Sequence, residues 1–149
     1  MDAISPISGL NGGRQLTPDE RVEVTKLVAR DREVRAHEAA HMAVAGSMAS
    51  GVEYTYQMGP DGKMYAVGGK VRIIMTPGQT PEETLAKAQQ LRAAANAPAD
   101  PSGQDMTVAA QANVMEAEAL LQIARDHDQV ASSTTGSSPS HLHQLDRAA

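Results

Sequence analysis

The chain has 149 residues, with 13 Lys and Arg against 18 Asp and Glu, giving a formal net charge of −5. That length suits one modest domain, and the acidic balance leaves no basic footprint for nucleic acid. There is no cysteine, phenylalanine or tryptophan and there are three tyrosines, which excludes disulfides, thiolate metal sites and cysteine nucleophiles.

The core must therefore come from Ala, Val, Leu, Ile and Met. Such small side chains bury little area each, so marginal stability is expected, and a bound metal would raise it. Residues 1–16 are rich in Ser, Gly and Asn without periodicity and read as a flexible leader. The N-terminus lacks the basic and apolar regions of a signal peptide, so the expected compartment is the cytoplasm. No apolar run approaches membrane-spanning length.

Thr17-Pro18-Asp19-Glu20 reads as a capping box, with Thr17 as N-cap, Pro18 at the first helical position and Glu20 reaching back. Neither glycine nor proline follows until Gly46, so the spacing predicts a helix from about Pro18 to Ala45 or Met48. Every third and fourth residue traces one seam: Val24, Leu27, Asp31, Val34, Glu38, His41, Ala45 and Met48. Ionisable groups interrupt this apolar stripe, and a buried carboxylate without partners is costly, so the seam reads as a site built into the core. His37 and His41 are one helical turn apart on one face, a spacing that lets two imidazoles reach one metal ion. Glu38, beside the first histidine, is placed to act as general base on water that the metal activates.

Val52 to Met58 alternates apolar and polar residues and predicts a strand. Gly59-Pro60-Asp61-Gly62 is turn chemistry, and Lys63 to Val67 returns as the partner strand of a hairpin. Gly68-Gly69 is expected to break it, leaving Lys70 to Met75 as a short third strand. Tyr54, Tyr56 and Tyr65 suit cross-strand packing, and Tyr65 is also a candidate to stabilise an oxyanion.

Thr80-Pro81-Glu82-Glu83 repeats the capping pattern and opens a second helix running to about Ala95. After the break at Asn96 to Pro101, Ser102-Gly103-Gln104-Asp105 can cap a third helix to about Arg125. Both helices are rich in alanine, which permits close packing. From 126 to 149 the composition turns to Ser, Thr, Gly and His and predicts a disordered tail, in which His141 and His143 read as incidental.

Several stretches in this order carry a specific resemblance. They are Arg30-Asp31-x-Glu33-Val34-Arg35-x-His37-Glu38-x-Ala40-His41, then Gly59-Pro60-Asp61-Gly62-Lys63-x-Tyr65-Ala66-Val67-Gly68-Gly69, then Arg92-Ala93-Ala94 and Pro101-Ser102-x-Gln104-Asp105. The chain resembles the SprA-related family of bacterial proteins, described as metalloproteases, over roughly Leu27 to Arg125. The resemblance implies a zincin-like hydrolase with His37 and His41 as zinc ligands and Glu38 as catalytic base. One stretch departs from the family pattern: Lys70 follows Gly69 where the family has glutamate, and the acidic residue that follows soon after in the family is absent from Val71-Arg72-Ile73-Ile74.

A catalytic zinc takes three protein ligands and an open position. Glu33 shares the helix face but lies eight residues from His41, about 12 Å along the axis. It reads better as a hydrogen-bond partner that orients His37 or as a salt-bridge residue. Glu116 and Glu118 on the last helix are the remaining candidates, and Glu116, on the inward stripe, is favoured.

The expected architecture is α+β: a long HExxH-bearing helix, a hairpin with a short third strand and two further packed helices over residues 17–125, between disordered termini. The expected function is zinc-dependent hydrolysis of peptide bonds, with one Zn²⁺ per chain and a peptide or protein as substrate. Lys70 and the lack of an obvious third ligand motivate a second reading, a non-catalytic interaction protein on a degenerate metalloprotease scaffold. Oligomeric state is left open.

Overall fold

The computed structural model of the chain describes residues 14–134. The elements are α1 (Pro18–Ala45), a 3₁₀ turn (Gly46–Met48), β1 (Ala49–Met58), β2 (Met64–Ile73), α2 (Pro81–Ala95) and α3 (Gly103–Thr134). Three helices and one two-stranded hairpin make this an α+β chain. The leader over 1–13 and the tail over 135–149, with His141 and His143, lie outside the described residues.

Local chemistry sets the helix starts. The Thr17 N–H donates to Glu20 Oε2 at 2.8 Å and the Glu20 N–H donates to Thr17 Oγ1 at 3.2 Å, the reciprocal capping box. Thr80 Oγ1 accepts from the Glu83 N–H at 3.1 Å at the start of α2, with Pro81 at the first helical position.

The chain packs as two units: α1 up to Ala39 with Ser50–Arg72, and Ala40–Ala49 with the chain from Ile73 onward. In the first, the hairpin turn is closed by the Gly59 N–H donating to Lys63 O at 2.8 Å and the Gly62 N–H donating to Gly59 O at 2.9 Å. Gly62 takes φ +77°, which favours glycine. Side chains of α1 hold β2 through its backbone. Asp31 Oδ1 accepts from the Ala66 N–H at 2.8 Å, and Arg30 Nε donates to Val67 O at 3.2 Å. Leu27, Val34, Tyr65 and Ala66 are buried here.

In the second unit, α2 and α3 run antiparallel, with Gln89 and Arg92 of α2 both reaching Glu116 of α3 and Arg92 also reaching Asn113. Met48, Leu91 and Ala112 form the core, with Ile73 and Met115 packed against it. Gln90 Nε2 donates to Val44 O at 3.1 Å and Ala45 O at 3.2 Å, satisfying carbonyls that the end of α1 leaves open.

Two boundaries differ from the sequence reading. No third strand forms among the described residues, because β2 runs unbroken through Gly68 and Gly69 to Ile73. Neither glycine takes a positive φ, so the pair continues the strand where a break was expected. The third helix continues past Arg125 to Thr134. Nothing between Arg125 and Thr134 is glycine or proline, and adding residues to an existing helix is far cheaper than starting one.

Candidate metal centre

His41 is held first by the local fold. It is 3% exposed, and its Nδ1 lies 2.8 Å from the Ala94 carbonyl at the end of α2. A carbonyl only accepts, so Nδ1 carries a proton and donates. With Nδ1 held by a carbonyl, Nε2 is the nitrogen that a metal would take, the arrangement typical of metal-binding histidines.

Nε2 in turn lies 3.2 Å from Asp105 Oδ1, in the first turn of α3. Two ligand atoms bound to one tetrahedral zinc at about 2.0–2.1 Å stand about 3.3 Å apart, so the pair has the spacing of two zinc ligands.

His37 precedes His41 by one turn of the same continuous helix, so its place is set by helix geometry itself. Within the second unit His41 and Asp105 each offer a ligand atom, 3.2 Å apart. An imidazole and a carboxylate are both among the donors zinc takes.

Glu38 sits on the seam as the spacing predicted and is 3% exposed. A Cβ built on Gly69 would stand 2.8 Å from both Glu38 Cγ and Oε1. The absence of a side chain at Gly69 is therefore what lets β2 lie against this carboxylate. Lys70, the next residue, pairs with Glu53 of β1 at 3.0 Å, and both are about half exposed. Its ammonium is engaged at the hairpin surface, whereas Glu38 is buried.

Three sequence candidates lie elsewhere. Glu116, favoured as the third ligand, is taken by Arg92 and by Gln89 at 3.3 Å. It joins α2 to α3 and is not in the histidine cluster. The Tyr65 hydroxyl donates to Asp61 Oδ2 at 2.6 Å, which draws the Asp61 carboxyl below its ordinary range and pushes the Tyr65 phenol above its own. Tyr65 packs by Gly59, near Leu27, ten residues before His37 or about 15 Å along α1. It is a turn-closing residue, and its hydroxyl is committed. Glu33 is exposed and pairs with Arg30 at 3.6 Å, the salt-bridge role that its spacing allowed.

Asp105 is the residue that the sequence reading passed over as a ligand. Its signal was the Ser102-Gly103-Gln104-Asp105 pattern, which a helix cap already explains. Among the described residues no helix is long and apolar enough to cross a membrane. No curated protein and no solved structure matches the chain. The sequence profile that does match covers residues 14–141, taking in α1, the hairpin, α2 and α3 with every residue of the cluster: the chain belongs to the SprA-related family.

Proposed function

We propose that the protein is a zinc-dependent hydrolase of peptide bonds, with His37 and His41 as zinc ligands and Glu38 as general base. The observation that carries this reading is the orientation of His41. Its Nδ1 is tied to Ala94 O, and its Nε2 is turned to a carboxylate, one helical turn from a second histidine. When bound, zinc supplies Lewis acidity, polarising a scissile carbonyl and acidifying water near neutral pH.

The chain's own part is positional and acid–base. Glu38 takes a proton from the attacking water on its carboxylate as the C–O bond forms. It returns that proton to the leaving amine as the C–N bond breaks. Burial against Gly69 restricts the rotamers of Glu38 and keeps its carboxylate in one place. The non-catalytic reading rested on Lys70 and on the lack of an obvious third ligand; the charge of Lys70 is paired with Glu53.

Glu38→Gln tests the reading. The amide keeps the shape but cannot take the proton. Zinc content by elemental analysis should match wild type, while cleavage of a casein or fluorogenic peptide pool should fall about 10²–10⁴-fold. A variant that keeps its zinc but melts far below wild type would move Glu38 to a structural role and favour the interaction-protein reading.

A further inference from the structure

We infer that Asp105 shares a metal ion with His41, bound through Oδ1 alone, and that zinc thereby fastens the first turn of α3 to the last turns of α1. This rests on the metal-site reading above and goes beyond it by assigning a ligand, its denticity and a structural role for the ion.

The two oxygens of Asp105 have different tasks. Oδ2 accepts from the Ser102 backbone N–H at 2.7 Å, and the Asp105 N–H donates to Ser102 Oγ at 3.3 Å. This is a capping box with aspartate in the place usually held by glutamate or glutamine. With Oδ2 fixed by the cap, the carboxylate plane is fixed, and Oδ1 is the oxygen that stands 3.2 Å from His41 Nε2. The same side chain therefore caps the start of α3 and offers a donor beside His41. On the other side, His41 is oriented by the last turn of α2 through Ala94 O.

Every contact in this chain of restraint, Ala94 to His41 to Asp105 to Ser102, lies within the second unit. A zinc ion between His41 and Asp105 would add a coordinate bond to each. Filling the site should then stabilise the α3 start as well as the histidines, because ligands that bind only the folded state shift its stability.

The test measures metal binding and melting, with zinc titrated against a chromophoric chelator and cobalt as a visible probe. Wild type should bind about one zinc per chain, and zinc should raise its melting temperature. Asp105→Asn keeps an oxygen for the Ser102 cap but loses the anionic ligand. It should bind zinc at least about 100-fold more weakly, lose most of the zinc-induced rise in melting temperature, and alter the cobalt spectrum. Glu116→Gln should bind zinc as wild type does.

Wild-type affinity and an unchanged cobalt spectrum in Asp105→Asn would overturn the assignment while leaving His37 and His41 as ligands. Absence of metal binding by wild type would overturn both readings, leaving His41 and Asp105 as an ion pair. Should Asp105→Asn fail to fold, Asp105→Glu carries the same comparison. Its longer arm cannot serve the cap and the ion in the same way, so an unchanged cobalt spectrum and affinity would again overturn the assignment.

Discussion

The two units hold themselves together by different means. In the first, α1 grips β2 with side chains that bond backbone, Asp31 on the Ala66 N–H and Arg30 on Val67 O. Its charges nearly balance, nine Lys and Arg against eight Asp and Glu among the described residues. The second is held by close-packed small apolar residues, with Ala45, Ala88, Ala94, Ala95, Ala112 and Ala119 buried and Leu91 the one large side chain fully buried among the described residues. It carries three Lys and Arg against eight Asp and Glu, an excess that favours a cation. One helix runs through both, and the motif on it receives a different environment at each end: Glu38 lies against a glycine backbone, His41 between a carbonyl and a carboxylate. A helix alone can align a motif, but the neighbours of each residue decide what it can do.

The largest expected effect falls on the second unit. Leu91→Ala should cost about 2–5 kcal/mol, because surrounding alanines cannot collapse far into the space left. Urea denaturation checks it, and a loss below about 1 kcal/mol would mean that apolar packing is not what holds this unit.

Gly69→Ala probes the corresponding close contact in the first. The new Cβ would stand 2.8 Å from Glu38 Cγ, and overpacking of this kind typically costs about 1–3 kcal/mol. Because Gly69 lies against the proposed base, zinc content should hold while hydrolysis falls. Zinc lost together with activity would show that the strand shapes the metal site itself.

Capping should be blind to the difference between the units. Thr17→Ala and Thr80→Ala each remove a side-chain acceptor from a helix start, one in each unit, and each should cost about 1 kcal/mol. A clear inequality between the two melting shifts would mean that one cap also serves a tertiary contact.

The smallest effect is a pH dependence. The Arg35 hydrogen bond, followed by the Ala66 N–H, lowers the Asp31 carboxyl below its ordinary range. A folded-state pKa below the unfolded one contributes stability that is present above the unfolded value, about 3.9 for aspartate, and is lost as pH falls through the folded value. Asp31→Asn should therefore flatten the acid side of a stability–pH profile below about pH 4. An unchanged profile would place the acid sensitivity elsewhere.

Features written in neighbouring residues were legible from the chain alone. The starts and ends of α1 and α2, the hairpin turn, and the alignment of His37, Glu38 and His41 follow from caps, glycines and helical spacing, all of which act within a few residues. What depended on distant partners was not. Gly68-Gly69 has the composition of a break, yet the strand continues past it, with Gly69 lying against Glu38 of α1. Glu116 and Asp105 are both acids of α3, and which one reaches His41 depends on how α3 is offset along its neighbours in the second unit. The structure pairs Glu116 with Arg92 and brings Asp105 to His41. Tyr65 could not be told from an oxyanion donor until its hydroxyl was found on Asp61. Sequence by itself determined which residues share a turn and a face, because backbone geometry is local. The tertiary structure alone decided which acid meets which base, because that choice is made between elements far apart in the chain.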